Sequence, residues 1–195
     1  MNVLNLVQSI QTLNAYDAFR PRFSPENWRV VGSYLIRREM KGGDVLIYQG
    51  DSDRTMYLLE SGTLQVYVRG TATSAAKIAL LRAGSIVGEP ALFGETMRMA
   101  QVDAIAPSVV WALSRPRLDE MLASQPELAY EILRASGAVM AERMRGTLAR
   151  GTPVSPSVRP AAAAWAGMVT LARRACACSP ASSSSAPWKK PRSRP

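Results

Sequence analysis

The sequence predicts a mainly β protein: a β roll of the jelly-roll (double-stranded β-helix) kind, with N-terminal helices before it and a C-terminal helix pair after it. Three observations predict it. Between residues 35 and 113 short apolar segments recur, separated by turns that contain glycine. Within them the apolar period is two, as in "TLQVYV", where Leu64, Val66 and Val68 alternate with Thr63, Gln65 and Tyr67. On either side the period lengthens to that of a helix. Many short strands between glycine turns close into a sandwich, roll or barrel.

The first helix is expected from about Val3 to Tyr16. A second starts at "SPENWRVVGSYL", where Ser24 suits the N-cap, Pro25 the first helical position and Glu26 the positive end of the helix dipole. Strands follow at Leu35–Glu39, Val45–Tyr48, Met56–Glu60, Leu64–Val68, Ile78–Leu81, Val102–Ile105 and Val109–Leu113. Turn signals part them at Gly42-Gly43-Asp44, Gly50-Asp51, Ser61-Gly62, Gly70 and Ala83-Gly84. The stretch "SRPRLDEMLASQPELAYEILRASGAVMAERMRGTLAR" is helical, and Ser124 with Glu127 reads as a capping box around Pro126. Its last helix, Pro126 to Arg150, carries one apolar stripe at Leu128, Ile132, Ala135 and Val139. A second runs through Leu133, Met140, Met144 and Leu148. So broad a face predicts a parallel homodimer contact through residues such as Val139, Met140 and Met144.

Of the 195 residues, 47% are apolar, and no apolar run approaches the ~20 residues of a membrane span. The N-terminus has neither a basic start nor a small-residue cleavage site, so a cytoplasmic protein without a membrane partner is expected. There is no histidine, which removes the commonest general base and the commonest metal ligand. The net charge of +9 is uneven. Residues 151–195 hold 7 of the 24 basic residues and no acidic one, in a run rich in Ala, Ser and Pro. The body, residues 1–150, is therefore close to neutral, and its surface gives no reason to expect DNA as a partner. The segment 151–195 reads as a disordered, low-complexity tail. Cys176 and Cys178 lie in it, and a lone C-x-C is a poor zinc site, so no metal is expected.

The strand series is interrupted at "IVGEPALFGETMRMAQV". A helical turn is expected from Pro90 to Phe93, and free N–H groups at its start, those of Ala91 and Leu92 among them, form an anion site. Arg98 follows on the next strand and gives a two-pronged, charge-assisted grip on a phosphate diester. Glu89 beside an anion makes sense if it accepts a hydrogen bond from a hydroxyl near the phosphate. A 3′,5′-cyclic ribonucleotide carries one such group, the ribose 2′-OH. Gly88 lets the backbone approach the sugar closely.

From about Phe23 to Arg145 the chain resembles the cyclic nucleotide-binding domain family, which includes the sensory domain of catabolite activator protein and the regulatory subunits of protein kinase A. The family's glycine landmarks occur in order as "KGGDVLIYQGD", "LLESGTLQVY" and "RAGSIVGE". Its phosphate-binding cassette, G-E-[LI]-A-L-x-x-x-x-P-R-x-A-x-V, aligns without gaps on Gly88, Glu89, Pro90, Ala91 and Leu92, then Met97, Arg98, Met99, Ala100, Gln101 and Val102. Three positions depart from it. Pro90 replaces an aliphatic residue, Met97 replaces the proline, and Met99 stands where the family has a small residue or a Ser/Thr. The resemblance implies that Glu89 binds the ribose 2′-OH, while Arg98 and the N–H groups of Ala91 and Met99 hold the cyclic phosphate. Gly88, Leu92 and Ala100 complete the ligand set. It implies cAMP or cGMP as ligand, no further cofactor, and base recognition partly from the long helix, at Arg143, Arg145 or Thr147.

Three functions follow. The first is a non-catalytic cyclic-nucleotide sensor, with cAMP the expected ligand. The second is a degenerate domain of the same fold that acts by protein contacts alone. The third is a transcription regulator of the Crp/Fnr type without its helix-turn-helix half, because residues 151–195 show no two-helix pattern to supply a recognition helix. An enzyme is not expected: Ser-His and Cys-His chemistry need a histidine, and no paired carboxylates fall in the expected pocket.

Overall fold

The computed structural model describes residues 3–69 and 75–149; the segment 151–195, with both cysteines, lies outside the described residues. Two helices open the chain, α1 (Leu4–Thr12) and α2 (Pro25–Tyr34). Six strands follow: β1 (Ile36–Met40), β2 (Val45–Ile47), β3 (Thr55–Ser61), β4 (Thr63–Arg69), β5 (Ala75–Arg82) and β6 (Ile86–Val87). A single helical turn, α3 (Pro90–Phe93), precedes β7 (Gln101–Ala104) and β8 (Ser108–Ser114), and α4 (Arg115–Ser124) and α5 (Pro126–Ala149) end the described body. The strands form two antiparallel sheets, in the orders β1-β8-β3-β6 and β2-β7-β4-β5. This is the expected β roll with helices on both sides.

The central strands of the first sheet, β3 and β8, have no wet face, whereas its edge strand β1 is largely exposed. In β3, Met56 and Leu58 join the helix-side core with Leu6, Phe19, Trp28, Leu118 and Ile132. Their neighbours Tyr57 and Leu59 join the core between the sheets, with Leu64, Val102 and Val110. Strand β8 divides the same way, Trp111 and Leu113 to the helices, Val110 and Ala112 to the roll. Successive side chains of a strand point to opposite faces, so a strand covered on both faces must be apolar throughout. One charged group enters this region. Glu60 is buried and accepts a hydrogen bond from Trp111 Nε1 at 2.6 Å, which satisfies the indole.

Gly62 sits alone between β3 and β4, where the chain crosses from one sheet to the other. Its φ is +93°, and a Cβ there would stand 2.6 Å from the Pro107 carbonyl oxygen. Only glycine fits such a corner. At α2 the expected cap is present: Ser24 accepts from the Asn27 N–H, with Pro25 in the first turn.

Two helical expectations are corrected. The first helix ends at Thr12, not Tyr16. The Arg20 guanidinium donates to the carbonyls of Leu13 at 2.8 Å and Gln11 at 3.5 Å, holding the helix end open and turning the chain. Ser124 is not the cap of a Ser124–Glu127 box. It is the last residue of α4; its hydroxyl donates to the Glu120 carbonyl and pairs with the Tyr34 hydroxyl, so α5 begins past it. The expected dimer residue Val139 is corrected as well. It is 1% exposed and belongs to the protein's own core. Met144, a second member of the expected dimer face, is exposed on α5.

Candidate ligand-binding site

A cavity of about 510 Å³ opens at the mouth of the roll, a size that suits a small molecule. Its floor comes from β2, β4, β6 and β7 through Ile47, Val66, Val87 and Val102, its sides from the α3 segment and β5, and its roof from α5. The segment between β6 and α3 turns at Gly88, whose φ is +82°. A Cβ there would lie 2.8 Å from both the Thr55 carbonyl oxygen and Arg98 Nη1. The glycine thus admits the arginine as well as the turn.

Arg98 lies in the loop before β7, not on the strand. The loop is fixed by backbone bonds from the Arg98 N–H to the Asp51 carbonyl and from the Gly50 N–H to the Arg98 carbonyl, each 2.8 Å. The side chain, 6% exposed as a residue, is heavily engaged. Nε and Nη2 both donate to Asp53 Oδ2, Nη2 also to the Thr55 carbonyl at 2.6 Å, and Nη1 to the Gly88 carbonyl at 3.2 Å. A guanidinium has five N–H donors, so in this arrangement Arg98 keeps one on Nη1 for a ligand. The two-pronged edge expected for phosphate is held by the Asp53 carboxylate, which an incoming anion would have to displace.

Glu89 is 4% exposed. Its Oε1 accepts from Arg143 Nη1 at 2.8 Å, and Oε2 takes no hydrogen bond among the described residues. Arg143 reaches down from α5 and donates in addition from Nε to Asp17 Oδ2 at 2.8 Å and from Nη2 to the Ile86 carbonyl at 3.0 Å. Burial pushes the Arg143 pKa down, but Glu89 and Asp17 more than offset that and hold it above its ordinary value. Two carboxylates therefore line this pocket, joined through one guanidinium rather than to each other.

The structure sorts the other expected site residues. Gly88, Glu89, Ala91, Arg98, Met99 and Ala100 line the cavity together. Leu92 does not; its side chain belongs to the helix-side core. The expected free N–H groups of Ala91 and Leu92 are engaged, donating to the carbonyls of Gly88 at 3.2 Å and Glu89 at 3.1 Å. A four-residue helix closes on itself at once, which leaves its start few open donors. Its far end is held by Arg54, donating to the Ala91 carbonyl, and Arg115, donating to the Leu92 carbonyl. Met99 is 69% exposed at the rim and leaves the cavity open. Of the long-helix candidates, Arg143 and Thr147 face the cavity, whereas Arg145 pairs with Glu142 away from it. Sequence reasoning missed Asp53 and Asp17. The acidic character of "QGDSD" was the available signal for Asp53; for Asp17 there was none.

The mouth of the β roll thus holds a buried carboxylate and a buried guanidinium at a cavity of small-molecule size, roofed by a long helix. Residues 37–125 match the model of the family described as cyclic nucleotide-binding domain, and this segment is a domain of that family. It is 29% identical over 122 residues to the cyclic AMP receptor protein of Thermus thermophilus, a match covering 63% of this chain and 55% of that protein. It is 36% identical over 81 residues to a cAMP-dependent protein kinase regulatory subunit of Blastocladiella emersonii, covering 42% of this chain and 20% of the subunit. The chain thus spans about half of the first relative and a fifth of the second. A crystal structure of a cyclic nucleotide-binding domain from Methylobacillus flagellatus superimposes with a TM-score of 0.66 at 23% identity, over 80% of this chain and 83% of that one, a likeness of fold. Among the described residues no helix is long and apolar enough to cross a membrane.

Proposed function

We propose that this domain is a sensor that binds a 3′,5′-cyclic nucleotide, cAMP before cGMP, in the cavity beneath α5. The observation that carries this reading is that two buried, oppositely charged side chains, Glu89 and Arg98, line one small-molecule cavity. Burying charge is costly, and a fold that does so at a cavity mouth does so for what the cavity takes. Glu89 Oε2 accepts from the ribose 2′-OH while Oε1 stays with Arg143. The phosphate takes the remaining Arg98 donor and competes with Asp53 for the rest. Because Arg143 joins Glu89 to α5, an occupied sugar site is felt by that helix.

Titration with fluorescent cAMP and cGMP tests the reading, and saturable binding is the expected result. Glu89→Gln should weaken binding less than loss of Arg98, since the amide oxygen still accepts. It should also narrow the preference for the ribo over the 2′-deoxy cyclic nucleotide, measured as the ratio of their Kd values. A folded protein with no saturable binding at millimolar ligand would favour a second reading, a ligand-free interaction domain. That reading has its own support: Arg98 and Glu89 already have partners, and the Ala91 and Leu92 N–H groups are engaged.

We also propose a parallel homodimer through α5, by a face shifted from the one expected. Tyr130, Met144 and Leu148 are exposed, with Leu133 and Met140 half-buried beside them. Successive positions are three, seven, four and four residues apart, which keeps them on one face of the helix, as a two-helix seam requires. Sedimentation at tens of micromolar should give twice the chain mass, and Met144→Glu should return the monomer; a wild-type monomer would rule the contact out.

A further inference from the structure

The cavity has one wall that the cassette does not supply. The link between α1 and α2, Leu13 to Asp17, lines it. A turn closed by the Ala18 N–H on the Ala15 carbonyl, at 3.2 Å, places Tyr16 and Asp17 at its tip. Asp17 is fixed there by Arg143, and the same guanidinium holds Glu89, so a single side chain sets this turn against the carboxylate that reads the sugar. Tyr16 is 64% exposed at the cavity rim and packs in neither core. Asn14 is exposed beside it, its amide without a hydrogen bond among the described residues. Ile78 and Leu80 of β5, both about half exposed, line the same cavity. An exposed aromatic ring, an aliphatic surface and one amide with both donor and acceptor are what a flat heteroaromatic base with polar edges requires.

We propose that the Leu13–Asp17 link is the base-recognition wall of the pocket, in which the Tyr16 ring stacks on the base and the Asn14 amide reads its edge. This rests on the cyclic-nucleotide reading of the site. The test uses the full chain and three probes: cAMP, cGMP and base-free ribose 3′,5′-cyclic phosphate. Tyr16→Ala should weaken cAMP binding by about 5- to 150-fold, the range for losing a stacked base, and leave the base-free probe unchanged. Tyr16→Phe should keep wild-type affinity. Asn14→Ala should change the ratio of cAMP to cGMP affinity without moving the base-free probe. Because both residues are exposed, thermal melts of the variants should overlay that of the wild type. Unchanged cAMP affinity in Tyr16→Ala, with Arg98→Ala impaired, would overturn this proposal and leave the reading of the site standing. An equal loss on cAMP and the base-free probe would also overturn it, since Tyr16 would then act on the shape of the pocket. A wild type that binds none of the three probes would overturn the reading and the proposal together.

Discussion

Arg98→Ala is expected to weaken cyclic-nucleotide binding by about 10- to 150-fold and to lower the stability of the unliganded protein in the same experiment. The first effect is the loss of a charge-assisted bond to phosphate, roughly 1.5–3 kcal/mol. The second follows from what the side chain does without ligand. Its guanidinium joins Asp53, the Thr55 carbonyl at the start of β3 and the Gly88 carbonyl beyond β6. Removing it takes the guanidinium donor from the Thr55 carbonyl in a part-buried site, at about 1–3 kcal/mol where water does not reach it, while the Gly88 carbonyl still accepts from the Ala91 N–H. A loss of about 1–3 kcal/mol is expected, read as a lower urea midpoint at unchanged m. Asp53 is partly exposed and adds little to that figure. Arg98→Lys keeps the charge, but one ammonium cannot span the three partners; it should regain some affinity and less of the stability. Affinity that survives Arg98→Ala would place the anion elsewhere. Stability that survives it would mean that water replaces the guanidinium at the Thr55 carbonyl.

The strands were legible as short apolar runs between glycine turns, and all seven expected ones are present with ends shifted by up to three residues. Strand β6 was not read, since Ile86–Val87 is too short to show a period. The overrun of α1 has a tertiary cause. Leu13 and Tyr16 continue an apolar pattern, and what stops the helix is Arg20 folding back on its carbonyls. At the site, Gly88, Glu89 and Arg98 were legible because backbone geometry and charge fix their identities locally. Their partners were not. Asp53 is 45 residues from Arg98, and Asp17 is 126 from Arg143, distances over which apolar period carries no information. One choice left open was readable after all. Arg143 and Thr147 follow the core residue Val139 at helical spacings of four, which puts them on its face, while Arg145 is turned away by two residues.

Arg143→Ala is expected to be the most destabilising single change at the site that leaves the β roll's own contacts untouched. The guanidinium is three-quarters buried and carries three bonds, to Glu89, Asp17 and the Ile86 carbonyl. Without it Glu89 is a buried carboxylate with no cation against it. Breaking a buried pair from one side typically costs about 3–5 kcal/mol; the partial exposure of Arg143 and Asp17 lowers the expectation to roughly 2–4 kcal/mol. The partners hold the Arg143 pKa above its ordinary value, so its charge persists at any pH the fold survives. The cause can be separated from lost packing by a cycle with Glu89→Gln. If the penalty is the orphaned charge, the double variant Arg143→Ala, Glu89→Gln should be more stable than Arg143→Ala alone, with a coupling of about 0.5–3 kcal/mol in urea midpoints. If the two changes are additive, the charge pair does not hold α5 on the pocket. The route from sugar site to helix proposed above would then have to run through the apolar contacts of Ile132, Ala135 and Val139 instead.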